Sequence, residues 1–165
     1  VKQLVDNPLP RALVVLDNDI RSYRNAADFE EAVDAAASIG SAIVRAGLPV
    51  ALRSTGADIG VEILRVEDLT RMLDALALCD PRVLKVPPPA LRQVLLATKS
   101  TSYFLVTGPS TGLIPSAIAA LGLVGEGTVV RMGQPGGLTR PRRGLVFRDV
   151  MVCRDLVPPS VATGT

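Results

Sequence analysis

A chain of 165 residues, 48% hydrophobic and 21% charged, carries enough apolar surface for one folded domain and too much for a disordered one. A formal charge of +2 and an aromatic content of 3% argue against nucleic-acid binding, because neither a basic field nor stacking platforms are present. No run approaches the roughly eighteen apolar residues of a membrane span, and no signal peptide opens the chain.

Residues 1–10 read as a linker from a region upstream, since the chain opens on Val1 and not on Met. Ala12 to Leu16 is a short apolar run that predicts a strand buried on both faces. It ends abruptly in Asp17-Asn18-Asp19. The carboxyl end of a strand in an open α/β sheet is where ligands and ions are held, so these two carboxylates and the Asn18 amide define a candidate site. Arg21 puts a fixed positive charge where a metal would sit.

Asn25 predicts a helix N-cap, with Asp28 favourably placed in the first turn against the helix dipole. Phe29, Val33, Ala36, Gly40, Ile43 and Gly47 share one face at helical spacing, and Glu30, Glu31 and Asp34 form the wet face. Gly47 and Pro49 stop the helix. Val50 to Ser54 is the second strand, and residues 56–60 turn the chain back into Val61 to Val66, an antiparallel hairpin that makes the sheet mixed. A second helix is expected from Asp68 to Cys79, with Leu69, Met72, Leu73 and Leu76 facing inward.

Pro81 and the run Pro87-Pro88-Pro89 mark a loop before a third helix, Ala90 to Ala97. Tyr103 to Thr107 is the next buried strand, followed by Gly108-Pro109-Ser110-Thr111-Gly112 and a helix from Pro115. Thr128 to Met132 and Leu145 to Cys153 complete the sheet, separated by a loop that holds Arg140, Arg142 and Arg143. Residues 158–165 read as a disordered tail. Cys79 and Cys153 lie far apart without metal-ligand spacing, which suits free thiols in a reducing compartment.

The segment Gly108 to Gly112 matches G-x-S-x-G between a strand and a helix, the setting of a hydrolase nucleophile elbow. The chain has no histidine to take the serine proton, so the segment reads as a turn, or as backbone N–H groups that could hold an anion. No Lys followed by Ser or Thr follows a glycine loop, and acids replace the glycines of a dinucleotide fingerprint after the first strand. The arginines at 140 to 143 could dock an acidic partner or a lipid headgroup, although a solvated loop is the commoner meaning of such a run.

The runs Val1-Lys2-Gln3-Leu4, Arg11 to Asp17, Phe29-Glu30-Glu31-Ala32-Val33, Val50-Ala51-Leu52-Arg53 and Leu69 to Leu76 resemble the second half of the bacterial family called domain of unknown function 58. The resemblance covers residues 1–79 by sequence and the rest by architecture. It implies a von Willebrand factor A-like domain, often with membrane helices upstream, and a MoxR-type AAA+ ATPase as partner. Such domains hold a divalent cation at an adhesion site reading Asp-x-Ser-x-Ser, with a Thr from a second loop and an Asp ending the fourth strand. Here Asp17 matches, Asp19 and Arg21 replace the serines, Thr55 is the candidate threonine, and Gly108 falls at the strand-four Asp. The resemblance therefore implies a degenerate site that holds no metal, and no cofactor.

The combined expectation is an α/β, Rossmann-like and von Willebrand A-like domain over residues 11–157, with a mostly parallel central sheet and helices on both faces. Its expected role is a non-catalytic protein-interaction or scaffold domain, cytoplasmic and part of a membrane-anchored protein. Asp17, Asp19, Arg21, Ser110 and Thr111 are its candidate contact residues. The alternative is a small-molecule or phosphate-binding Rossmann-like enzyme domain that uses the loops after Asp17 and Thr107.

Overall fold

The computed structural model describes residues 11–84, 100, 102–110 and 127–133, and the backbone of 145–150. Its six strands are β1 (Ala12–Leu16), β2 (Val50–Ser54), β3 (Gly60–Ile63), β4 (Ser102–Thr107), β5 (Gly127–Met132) and β6 (Leu145–Val150). They lie in the order β3-β2-β1-β4-β5-β6. Only β3 runs antiparallel to its neighbour, so the fold is α/β, Rossmann-like and mostly parallel. Among the described residues, the helices are α1 (Ala26–Arg45) and α2 (Leu69–Ala77), each preceded by a 3-10 turn, Ile20–Ser22 and Val66–Asp68.

Alternation along β1 divides its side chains between two faces. Ala12, Val14 and Leu16 meet Phe29, Ala32 and Ala36 of α1, with Met72 and Leu76 of α2 joining the same cluster. Leu13, Val15, Leu105 and Val129, which lie outside that cluster, are also buried, as a parallel sheet covered on both faces requires. Each fully buried leucine, such as Leu13 or Leu52, contributes roughly 1.5–3 kcal/mol relative to exposure. The expected helices at 90–97 and after Pro115, the arginine loop, residues 1–10, the end of β6 with Cys153, and the tail lie outside the described residues.

Three expectations shift. The buried line of α1 runs through Phe29, Ala32, Ala36, Gly40 and Val44, while Val33 and Ile43 are half-buried and Gly47 is exposed. Small residues occupy the line of closest approach and the bulkier ones flank it. At Gly40 a Cβ would lie 2.7 Å from Met72 Sδ, which shows how tightly α2 presses there. In α2, Leu73 is exposed, not inward, and Leu69 is only half-buried. The hairpin strand stops at Ile63 and not Val66, because the Asp68 carboxylate accepts the Leu64 and Arg65 N–H groups and starts a 3-10 turn. Asn25 caps α1 as expected, accepting the Asp28 N–H at 2.9 Å, and Gly47, at φ +85°, follows its C-terminus.

Candidate functional site

The carboxyl edge of β1 carries Asp17, which is 1% exposed. One carboxylate oxygen accepts the Asp19 N–H at 3.0 Å and lies 3.1 Å from the Thr55 hydroxyl. The other accepts the hydroxyls of Ser22 at 2.6 Å and Thr107 at 2.7 Å. Burial pushes the Asp17 carboxyl above the usual carboxylate range, and these hydrogen bonds pull partly against that rise. The Asp17 carbonyl accepts the hydroxyl of Tyr23, whose ring stands edge-on to Phe29. Burial, helped by the Asp17 charge, raises the Tyr23 hydroxyl well above its ordinary value.

Asn18 ties this strand end to two other segments. Its side-chain oxygen accepts the Gly56 N–H at 2.8 Å, and its amide nitrogen donates to Asp58 at 2.7 Å. The stretch Pro81–Leu84 lies across the loop as a strap. Arg82 N–H donates to the Asn18 carbonyl at 2.9 Å, and Ile20 N–H donates to the Arg82 carbonyl at 3.0 Å. An Arg82–Asp58 ion pair at 2.9 Å secures it.

Asp19 caps the 3-10 turn that follows, accepting the Arg21 N–H at 3.0 Å. The Arg21 guanidinium folds back on the same carboxylate, with Nε 2.9 Å from Oδ1, and also donates to the Leu84 carbonyl at 2.7 Å. That contact holds the Asp19 carboxyl below the usual range. Behind the turn, Gly108 is packed so closely that a Cβ would lie 2.0 Å from the Ser22 carbonyl oxygen. The same oxygen accepts the Ser110 N–H at 3.1 Å.

Asp17, Asp19, Arg21, Thr55 and Gly108 are thus brought together, and Ser110 adjoins them through its backbone. Thr111 lies outside the described residues. Asp17 and Asp19 are both 1% exposed, so they build the rim and do not form its surface. Among the described residues, the loop after β1 and the strap present Ile20 at 48%, Val83 at 63%, Arg21 and Arg82. Sequence reasoning placed Asn18 at the site but missed Ser22 and Thr107 as partners of Asp17, and the strap. The available signal was a hydroxyl residue ending each buried strand beside β1, Ser54-Thr55 after β2 and Thr107 after β4.

A divalent cation needs an open shell of oxygen ligands. Both oxygens of Asp17 are occupied by protein donors, those of Asp19 by a guanidinium, and position 108 has no room for a carboxylate.

No family model matches the chain, and no curated protein matches it in sequence. Among solved structures, the VWA domain of SpRpn10 is similar over 90% of this chain and 93% of that one, with a TM-score of 0.58 and 12% identity. At that identity the likeness concerns the fold alone. The chain has a von Willebrand A-like fold.

Proposed function

We propose that this domain is a non-catalytic protein-interaction or scaffold module of the domain of unknown function 58 type. It engages a protein partner through the rim of its sheet's carboxyl edge, over a degenerate metal site. The carrying observation is the closure of that site: Arg21 lies on Asp19, and Asp17 is saturated by donors of its own chain. Among the described residues, the loop after β1 and the strap offer for contact two arginines and two exposed aliphatic side chains. The partner we favour is a MoxR-type AAA+ ATPase, met by a cytoplasmic domain of a membrane-anchored protein. The enzyme alternative gains nothing here, since the Ser110 N–H that a bound anion would use already donates to Ser22.

Two measurements test the reading. Calorimetric titration with Mg²⁺ or Mn²⁺ is expected to show no saturable binding; micromolar binding lost in Asp17→Ala would overturn the degenerate site. Capture of the MoxR-type AAA+ ATPase by the full-length protein is expected to fail in the folded rim variant Arg21→Glu/Val83→Asp. Undiminished capture would remove the rim from the interface.

A further inference from the structure

The flank formed by β3 and α2 carries apolar surface that the rim does not use. Val66, Thr70, Leu73 and Ala77 recur at helical spacing along the 3-10 turn and α2, and all four are exposed, Val66 at 50% and Leu73 at 47%. Leu64, just past the end of β3, is also exposed, at 57%. From Val66 to Ala77 the ridge is roughly 16 Å long at the helical rise, matching about three turns of a partner helix.

Charge limits what can cover it. Glu67 and Asp74, one heptad apart, line the solvent margin of the ridge, and neither makes an ion pair among the described residues. Arg71 stands one turn from each, the spacing at which helix ion pairs form. Its guanidinium instead donates to the Glu62 carbonyl of edge strand β3 at 3.1 Å. Two carboxylates therefore border an apolar ridge, and Arg71, one turn from each, pairs with neither. A two-fold pairing of this face would set Glu67 of one copy near Asp74 of the other, a like-charge contact. The Arg71 contact also occupies a backbone acceptor on the edge strand, which works against an added strand.

We propose that the outer face of the Val66–Asp68 turn and α2 is a second docking surface, fitted to an amphipathic helix of another protein whose apolar ridge is flanked by lysine or arginine. The probe is a labelled leucine–lysine amphipathic peptide, with a leucine–glutamate peptide as its counterpart, read by fluorescence anisotropy. The wild-type domain should bind the first and not the second. Glu67→Lys/Asp74→Lys should invert that preference, and Leu73→Asp should weaken binding by about tenfold or more with the circular dichroism spectrum unchanged. Absence of binding, or binding of the lysine peptide unaffected by the charge reversal, would overturn the proposal. Leu73-dependent dimerisation in sedimentation would also overturn it, by assigning the face to a second copy. Because the rim variant leaves this flank intact, failure here is separable from failure of the rim.

Discussion

Gly108→Ala should be among the most damaging single-methyl additions in this protein. The new Cβ would fall 2.0 Å from the Ser22 carbonyl oxygen and 2.7 Å from Tyr23 Cδ1. Relief requires backbone movement of roughly 1 Å, since a carbonyl oxygen cannot rotate away as a side-chain tip can. The turn that would move carries the Ser22 hydroxyl to Asp17 at 2.6 Å and takes the Ser110 N–H at 3.1 Å. Overpacking costs about 1–3 kcal/mol and each disturbed hydrogen bond about 1 kcal/mol, which places the loss near 4 kcal/mol and the fall in Tm at about 10 °C. Two other glycines calibrate the estimate. Gly40→Ala meets only the flexible Met72 thioether at 2.7 Å and should cost about 1 kcal/mol. Gly60→Ala meets nothing within 4 Å and, without a positive φ, should be neutral or stabilising by about 0.5 kcal/mol. Urea unfolding of the three variants, with unchanged m-values, gives the comparison. A Gly108→Ala variant within about 1 kcal/mol of wild type would refute the packing argument.

Asp17→Asn should keep the fold at a cost on the order of 1 kcal/mol, because the Ser22 and Thr107 hydroxyls can rotate to accept from the new amide; Asp17→Ala, which strands the Asp19 N–H and the Ser22 and Thr107 hydroxyls while Thr55 keeps the Asn18 side-chain oxygen, should cost about 3 kcal/mol. Complete unfolding of the asparagine variant in equilibrium denaturation would contradict this. Asp17 has a raised folded pKa, so its native state holds the proton more tightly and it withdraws stability as pH rises from 3.8 through the folded value. The Asn variant should lose that slope in urea titrations between acid and neutral pH. Asp19 has the opposite sign: its stabilisation by Arg21 is present above pH 3.8 and lost as pH falls through the depressed folded value. Arg21→Gln should therefore be less stable than wild type at pH 7, with the gap closing in acid; a gap independent of pH would exclude the ion pair as its source. Burial pushes the Cys79 thiol from 9.0 to about 11, so its thiolate fraction at pH 8 falls about 100-fold, and mass spectrometry should find it alkylated only on unfolding. Ser110 should resist fluorophosphonate probes, and stoichiometric labelling would promote the enzyme alternative.

Local patterns carried much of the architecture. The β-branched run Ala12–Leu16, the Asn25 cap and the Gly47–Pro49 stop each act through neighbouring residues, and each element lies where those rules place it. The outward turn of Leu73 was not legible, because periodicity alone cannot tell a helix's core face from an exposed apolar stripe beside it. Site legibility divided in the same way. Asp17, Asp19 and Arg21 lie two positions apart in turn, and their Asx turn and ion pair follow from that spacing. Thr107 reaches Asp17 across 90 positions, and the strap reaches Asn18 across 64, through sheet order that no short pattern encodes.

The strand order has a kinetic consequence. β3, β2 and β1 are adjacent in the sheet and contiguous in the chain, and the strap at 81–84 closes on the loop that ended the first of them. One half of the sheet, its two described helices and most of their shared core therefore belong to residues 11–84. Such a segment can gather its short-range contacts while β4 is still unmade on the ribosome, leaving the β1–β4 pairing as the slower, long-range closure. The loop at Asp17 then waits, half built, for Thr107 to arrive with the second half of the chain.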